Sequence, residues 1–177
     1  MHFRWRDNPG VLARYMMDGD VPAKAEVTLK PNEICVVLED GKIVGSVSQQ
    51  HLEVNPQVGL IGKLFGKKNP RRSFMFCFTG PHEILVMVKG HASGGEEYNC
   101  MVALKVEIIR ESAPRLLNFA ARGINTVHSS DIANHLSQSV QSATKEILKS
   151  VDAENLKTAA CNEDLIFHIK TQIRTNL

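Results

Sequence analysis

The stretch LKPNEICVVLEDGKIVG, residues 29–45, sets two apolar runs on either side of Asp40-Gly41. An Asp-Gly pair between such runs signals a two-residue type I′ turn, because both central residues of that turn carry positive φ. The two runs therefore read as the arms of a β-hairpin. Working outward, EVTLK (26–30) leads into it as a strand. SFMFCFT (73–79) and EILVMVKG (83–90) are apolar runs short enough to be buried strands, separated by Gly80-Pro81. In YNCMVALKVEII (98–109), Cys100, Val102, Leu104, Val106 and Ile108 share one face of an alternating pattern, with Asn99, Lys105 and Glu107 pointing away.

The second half of the chain reads as helices. Ser112 is placed to cap a first helix, with Pro114 in its first turn and Gly123 where a C′ glycine belongs. Ser129 or Ser130 opens a second helix, whose Ile132, Leu136, Val140, Ala143 and Ile147 form one stripe. Asp152 offers a cap for AENLKTAA, and Asn162 one for EDLIFHIKTQIRTNL. Strands first and helices after predict an α+β fold: a mostly antiparallel sheet with segregated C-terminal helices. The expectation is one domain over 1–177, with a strand-rich lobe about 23–110 and a helical part about 112–177. The last helical pattern reaches Leu177 without a glycine or proline stop, which suggests a helical or coiled-coil extension beyond it.

Hydrophobic residues make up 43% and charged residues 23% of 177, ordinary for a globular protein with a sizeable core. Cys35, Cys77, Cys100 and Cys161 are far apart and form no C-x-x-C pair. Buried free thiols in a reducing, cytoplasmic setting fit better than a disulfide framework. The N-terminus lacks the apolar core of a signal peptide, and runs such as ICVVL and ILVMV are far short of the ~20 residues of a spanning helix, so any membrane contact is expected to be peripheral.

The net charge is +2, yet GLIGKLFGKKNPRR (59–72) holds Lys63, Lys67, Lys68, Arg71 and Arg72 and no acid. The basicity is local, and the rest of the chain is net acidic. The spacing excludes a phosphate-binding P-loop: five residues before Gly66 stands Ile61 rather than Gly, and no hydroxyl follows Lys67. Three readings stay open. The stretch is a solvated loop between strands, or a contact for a protein partner. Alternatively it is a peripheral membrane contact, in which cations attract anionic headgroups and Leu64 and Phe65 enter the interface. Nucleic acid is not expected, since Phe65 is the one aromatic in the stretch.

Signals for chemistry are weak. His82 with His91, and His128 with His135, give no recognised metal-ligand set, and a partly buried, satisfied His135 is the expectation beside the apolar stripe. No G-x-S-x-G elbow exists, and Ser93 before Gly94-Gly95 reads as a turn. No catalytic residue, cofactor or metal is assigned.

The order of elements resembles the SPFH or band 7 family of stomatins, prohibitins and flotillins. LKPNEICVVLEDGKIVG is similar to its opening hairpin, CMVALKVEIIRESAPRLL to its strand followed by a helix, and DIANHLSQSVQSATKEILKSVDAENL to its amphipathic helices. WRDNPGVLARYM (5–16) is similar to the start of a bacterial, soluble-looking, virion-core-protein-like subgroup. The likeness spans roughly residues 3–177. Departures are GSVSQQHLEVNP after the hairpin, in place of a Gly-Pro-Gly, and the missing membrane hairpin and coiled coil. The resemblance implies a non-catalytic scaffold or oligomerisation module, organising a protein assembly at a membrane surface and homo-oligomeric in its full-length context. A soluble adaptor that recruits a client protein without lipid contact is the alternative, and an uncharacterised hydrolase a remoter one. Leu136, Val140 and Ile147 are then either an oligomer face or core, with core favoured.

Overall fold

The computed structural model describes residues 3–22, 25–48, 51–54, 71–155 and 158–176. The fold is α+β, with antiparallel sheets in the N-terminal half and the long helices at the C-terminus. The chain divides into two compact units, each made of two stretches: Met1–Pro81 with Glu107–His128, and His82–Val106 with Ser129–Leu177.

The first unit is built on an antiparallel five-stranded sheet of order β4-β3-β6-β1-β9. Its strands are β1 (Val11–Met17), β3 (Glu33–Glu39), β4 (Lys42–Ser48), β6 (Arg72–Phe78) and β9 (Thr126–His128). A separate pair joins β2 (Ala25–Thr28) to β5 (His51–Val54). The β3–β4 hairpin turns at Asp40 and Gly41 with φ of 49° and 78°, both positive as that turn requires. β6 lies between β1 and β3, and its Ser73–Cys77 are all buried, so it carries a continuous apolar run where an edge strand would alternate. Phe74 and Phe76 stack at 6.1 Å, and Trp5 stacks on Phe76 at 5.8 Å. Val11, Met16, Val21, Val27, Leu29 and Cys35 complete that core. Each large side chain buried there contributes about 1.5–3 kcal/mol.

On β4, the last strand in the sheet order among the described residues, Arg110 donates from Nε to the Ser46 hydroxyl at 2.8 Å and from a terminal nitrogen to the Ser46 carbonyl at 2.6 Å. A guanidinium occupying an edge acceptor blunts strand-to-strand association there. Short helical segments follow. A 3₁₀ turn at Ala113–Leu116 lies against β3 and β6, then α1 (Leu117–Ala121) ends before Gly123 at φ 84°. The Ser112 hydroxyl makes no capping bond; it donates back to the Ile109 carbonyl.

The second unit pairs β7 (His82–His91) with β8 (Glu97–Val106) in an antiparallel ribbon, with α2 (Ser129–Leu148) packed on β7 and α3 (Ala159–Asn176) packed on α2. Ile84, Val86 and Val88 turn inward, as do Ile132, Leu136, Val140 and Ala143 of α2. The buried Thr144 hydroxyl is satisfied within the helix by the Val140 carbonyl at 2.7 Å. α3 begins three residues before the sequence placed its cap. The Thr158 hydroxyl accepts from the Cys161 amide at 3.3 Å, and Asn162 lies inside the helix.

The boundary expected near Ser112 therefore falls elsewhere. The β7–β8 ribbon groups with α2 and α3, because α2 packs on the inner face of β7 and α3 packs on α2. Residues 107–128 group with the first sheet, where Ile108 is buried and β9 pairs with β1. EILVMVKG is also not a strand buried on both faces. Among the described residues, the buried side chains of β7 lie on one side, and Leu85 and Met87 lie exposed on the other.

Candidate functional site

Of the basic stretch, Lys63, Leu64, Phe65, Lys67 and Lys68 lie outside the described residues. Arg71 and Arg72 lie at the entry to β6. The Arg71 amide donates to Asp40 Oδ1 at 3.1 Å and its carbonyl accepts from the Asp40 amide at 2.8 Å, while its side chain is exposed. Arg72 faces Glu39 across the β3–β6 register and donates from Nε to Glu39 Oε1 at 2.9 Å. Its cation is engaged within the sheet. The helix-face candidates separate by burial: Leu136 and Val140 are fully buried inside the second unit, and Ile147 is half-buried at the stripe's margin.

The cysteines are free, and Cys35, Cys77 and Cys161 are buried. Burial pushes the Cys77 thiol up to about 12, and burial together with the neighbouring Cys77 raises Cys35 as well. A thiol held protonated is a poor nucleophile. His91 lies 3.7 Å from Glu97, His128 Nδ1 lies 3.3 Å from the Gly10 carbonyl, and His82 is buried. His135 is exposed on α2, not partly buried as expected, because its position falls off the stripe. Among the described residues no three His, Cys, Asp or Glu side chains are grouped as a metal site would require.

The outer face of the β7–β8 ribbon is the feature that stands out physically. In the register Glu83 lies opposite Lys105, Leu85 opposite Ala103, and Met87 opposite Met101. All six are exposed, with Leu85 at 50%, Met87 at 52% and Met101 at 59%. Single exposed apolar residues are unremarkable, but contiguous ones mark contact surfaces. Here two opposite pairs place Leu85, Met87, Met101 and Ala103 side by side. Methionine suits such a surface, since its unbranched thioether adapts to the shape it meets. The sequence held a signal for this face: Met101 has the same parity as Asn99 and Lys105, the residues read as pointing away. Leu85 and Met87 were hidden because ILVMV is apolar at every position.

No helix among the described residues is long and apolar enough to cross a membrane. Comparison with known sequences finds no protein-family model that matches the chain and no curated protein that does.

Proposed function

We propose that the chain is a non-catalytic scaffold module whose copies associate through the outer face of the β7–β8 ribbon, organising a protein assembly in the cytoplasm at a membrane surface. The observation that carries this reading is the exposed row of Leu85, Met87 and Met101. The face is also self-complementary. With two copies laid face to face about a two-fold axis along the ribbon, β7 of one lies over β8 of the other. Each Glu83 then faces Lys105 of the second copy, each Leu85 faces the small Ala103, and Met87 faces Met101. A two-fold contact of this kind is isologous and closes on itself. Support for the membrane component comes from sequence, in the five cations and two large apolar residues of 59–72 and in the resemblance to band 7 proteins.

Analytical ultracentrifugation tests the assembly. The wild-type chain should associate reversibly with concentration. Met87→Glu should weaken association by about tenfold or more, since it sets a charge in an apolar contact. Glu83→Lys and Lys105→Glu should each weaken it, and the double exchange should restore it. A chain monomeric throughout, or variants that sediment as wild type, would refute self-assembly through this face; the adaptor reading would then have to account for it. Vesicle pelleting tests the membrane component: Lys67→Glu, Lys68→Glu and Arg71→Glu together should abolish binding to anionic vesicles, leaving Arg72 to its partner Glu39. Undiminished pelleting would exclude the basic stretch.

A further inference from the structure

A second feature of the ribbon unit points to a small ligand. The end of the β7–β8 ribbon and the C-terminal end of α2 form a cleft of about 940 Å³, whose lining includes Lys89, Lys145 and Lys149. None of these lysines has an acidic side chain within 4 Å among the described residues. The acid in the cleft's lining, Glu97, lies 3.7 Å from His91. The cleft's walls are tied together inside the unit. The Ser93 amide donates to the Val151 carbonyl at 3.3 Å, and the Ser93 hydroxyl donates to Asp152 Oδ1 at 2.5 Å. The turn that follows Lys89 is thereby fastened to the chain just beyond Lys149.

Cations near a helix C-terminus are favourable in themselves, which accounts for Lys145 and Lys149. It does not account for Lys89, which comes from a strand, on the parity of Leu85 and Met87, and brings a third like charge to the border of the same concavity. Concave sites lined by one sign of charge focus the field and concentrate counter-ions. The Tyr98 phenol, in the same wall, is buried with no hydrogen-bond partner among the described residues. Burial raises its pKa, so it remains a donor. The lining therefore offers ammonium donors beside a buried, unpaired phenol, with one carboxylate already beside a histidine. That chemistry matches a compact, multiply charged anion bearing acceptor oxygens only.

We propose that this cleft binds a phosphate-bearing group, either a free phosphorylated small molecule or the headgroup of an anionic lipid. The inference rests on the ribbon unit alone and stands whether or not copies associate through the outer face.

The test is titration of the full chain with inorganic phosphate, followed by amide NMR shifts against sodium chloride at matched ionic strength. Saturable shifts are expected around Gly90, Tyr98, Lys145 and Lys149. Lys145→Gln and Lys149→Gln should each weaken binding by about tenfold, as loss of a charge-assisted bond does, while the exposed control Lys170→Gln should not. In a parallel arm, phosphatidic acid vesicles are compared with phosphatidylcholine vesicles, using the chain already carrying Lys67→Glu, Lys68→Glu and Arg71→Glu. Saturable phosphate binding lost in the cleft variants establishes a free-phosphate site. Vesicle binding alone, lost in the same variants, establishes a headgroup site. Shifts that never saturate, that match those in chloride or that survive both cleft substitutions overturn the proposal, provided the vesicle arm is also negative.

Discussion

Replacing Leu136 with alanine should decide whether the stripe of α2 serves the interior or a partner. Leu136 is fully buried among the inward side chains of α2, and Ile147 is only half-buried. Truncation removes about three methylene equivalents at ~0.8 kcal/mol each and leaves a cavity that close packing refills only in part, so the loss should be about 3–4 kcal/mol. Ile147→Ala, with part of its surface already in water, should lose about 1 kcal/mol. Because the chain has two units, global denaturation need not be two-state, and hydrogen exchange of the α2 amides is the better assay. A loss of 3 kcal/mol should speed their exchange by roughly 100-fold, and Ile147→Ala by less than tenfold. If Leu136 serves the interior, the effect is the same at high and low protein concentration. A small acceleration, or one that vanishes on dilution as oligomers fall apart, would refute the core assignment and return Leu136 to an interface.

Two further outcomes follow from the first unit. Gly41 has open space around the position of a Cβ but a φ of 78°, so Gly41→Val should cost about 1–2 kcal/mol through the backbone alone, whereas Gly41→Asn should be nearly neutral; thermal melts that rank the two the other way would remove the turn assignment. The Cys35 and Cys77 thiols have folded pKa values raised above the ordinary thiol value, so the unfolded chain releases their protons first and their contribution is full below pH ~8.5 and is lost as pH rises toward the folded values. Unfolding free energy should fall above pH ~9 by up to ~1.4 kcal/mol per pH unit for each thiol, and a Cys35→Ala, Cys77→Ala variant should show a correspondingly shallower decline.

Much of the fold was legible because its signals are local. The Asp40-Gly41 turn is specified by two residues, and the β8 alternation by ten, so both could be read without knowing their partners. What escaped depends on distant chain. β9 is three residues long and exists through its pairing with β1, more than a hundred positions away; β5 exists through β2 in the same way. VLARYMM of β1 begins with three buried residues in a row, so its period is obscured. The start of α3 was misplaced because Ala159, Ala160 and Cys161 carry no amphipathic stripe, and Asn162 offered a more familiar cap than Thr158. The grouping of the ribbon with the helices was illegible for a related reason. Alternation reveals that one face of a strand is buried but not what buries it. The lysine cleft draws Lys89 and Lys149 from elements sixty residues apart, and no spacing rule joins them.

The split make-up of both units has a consequence for synthesis. The ribbon is complete once Val106 has left the ribosome, yet the helix that covers its inner face ends at Leu148. At ~5–20 residues per second, the intervening stretch of about 40 residues takes roughly 2–8 s to be made. Throughout that interval Ile84, Val86 and Val88 lack the complete helix that shelters them, and for about its first half the first unit still awaits its last strand. The nascent polypeptide is thus most vulnerable midway through translation, and a trigger for aggregation or chaperone capture is expected there rather than at release.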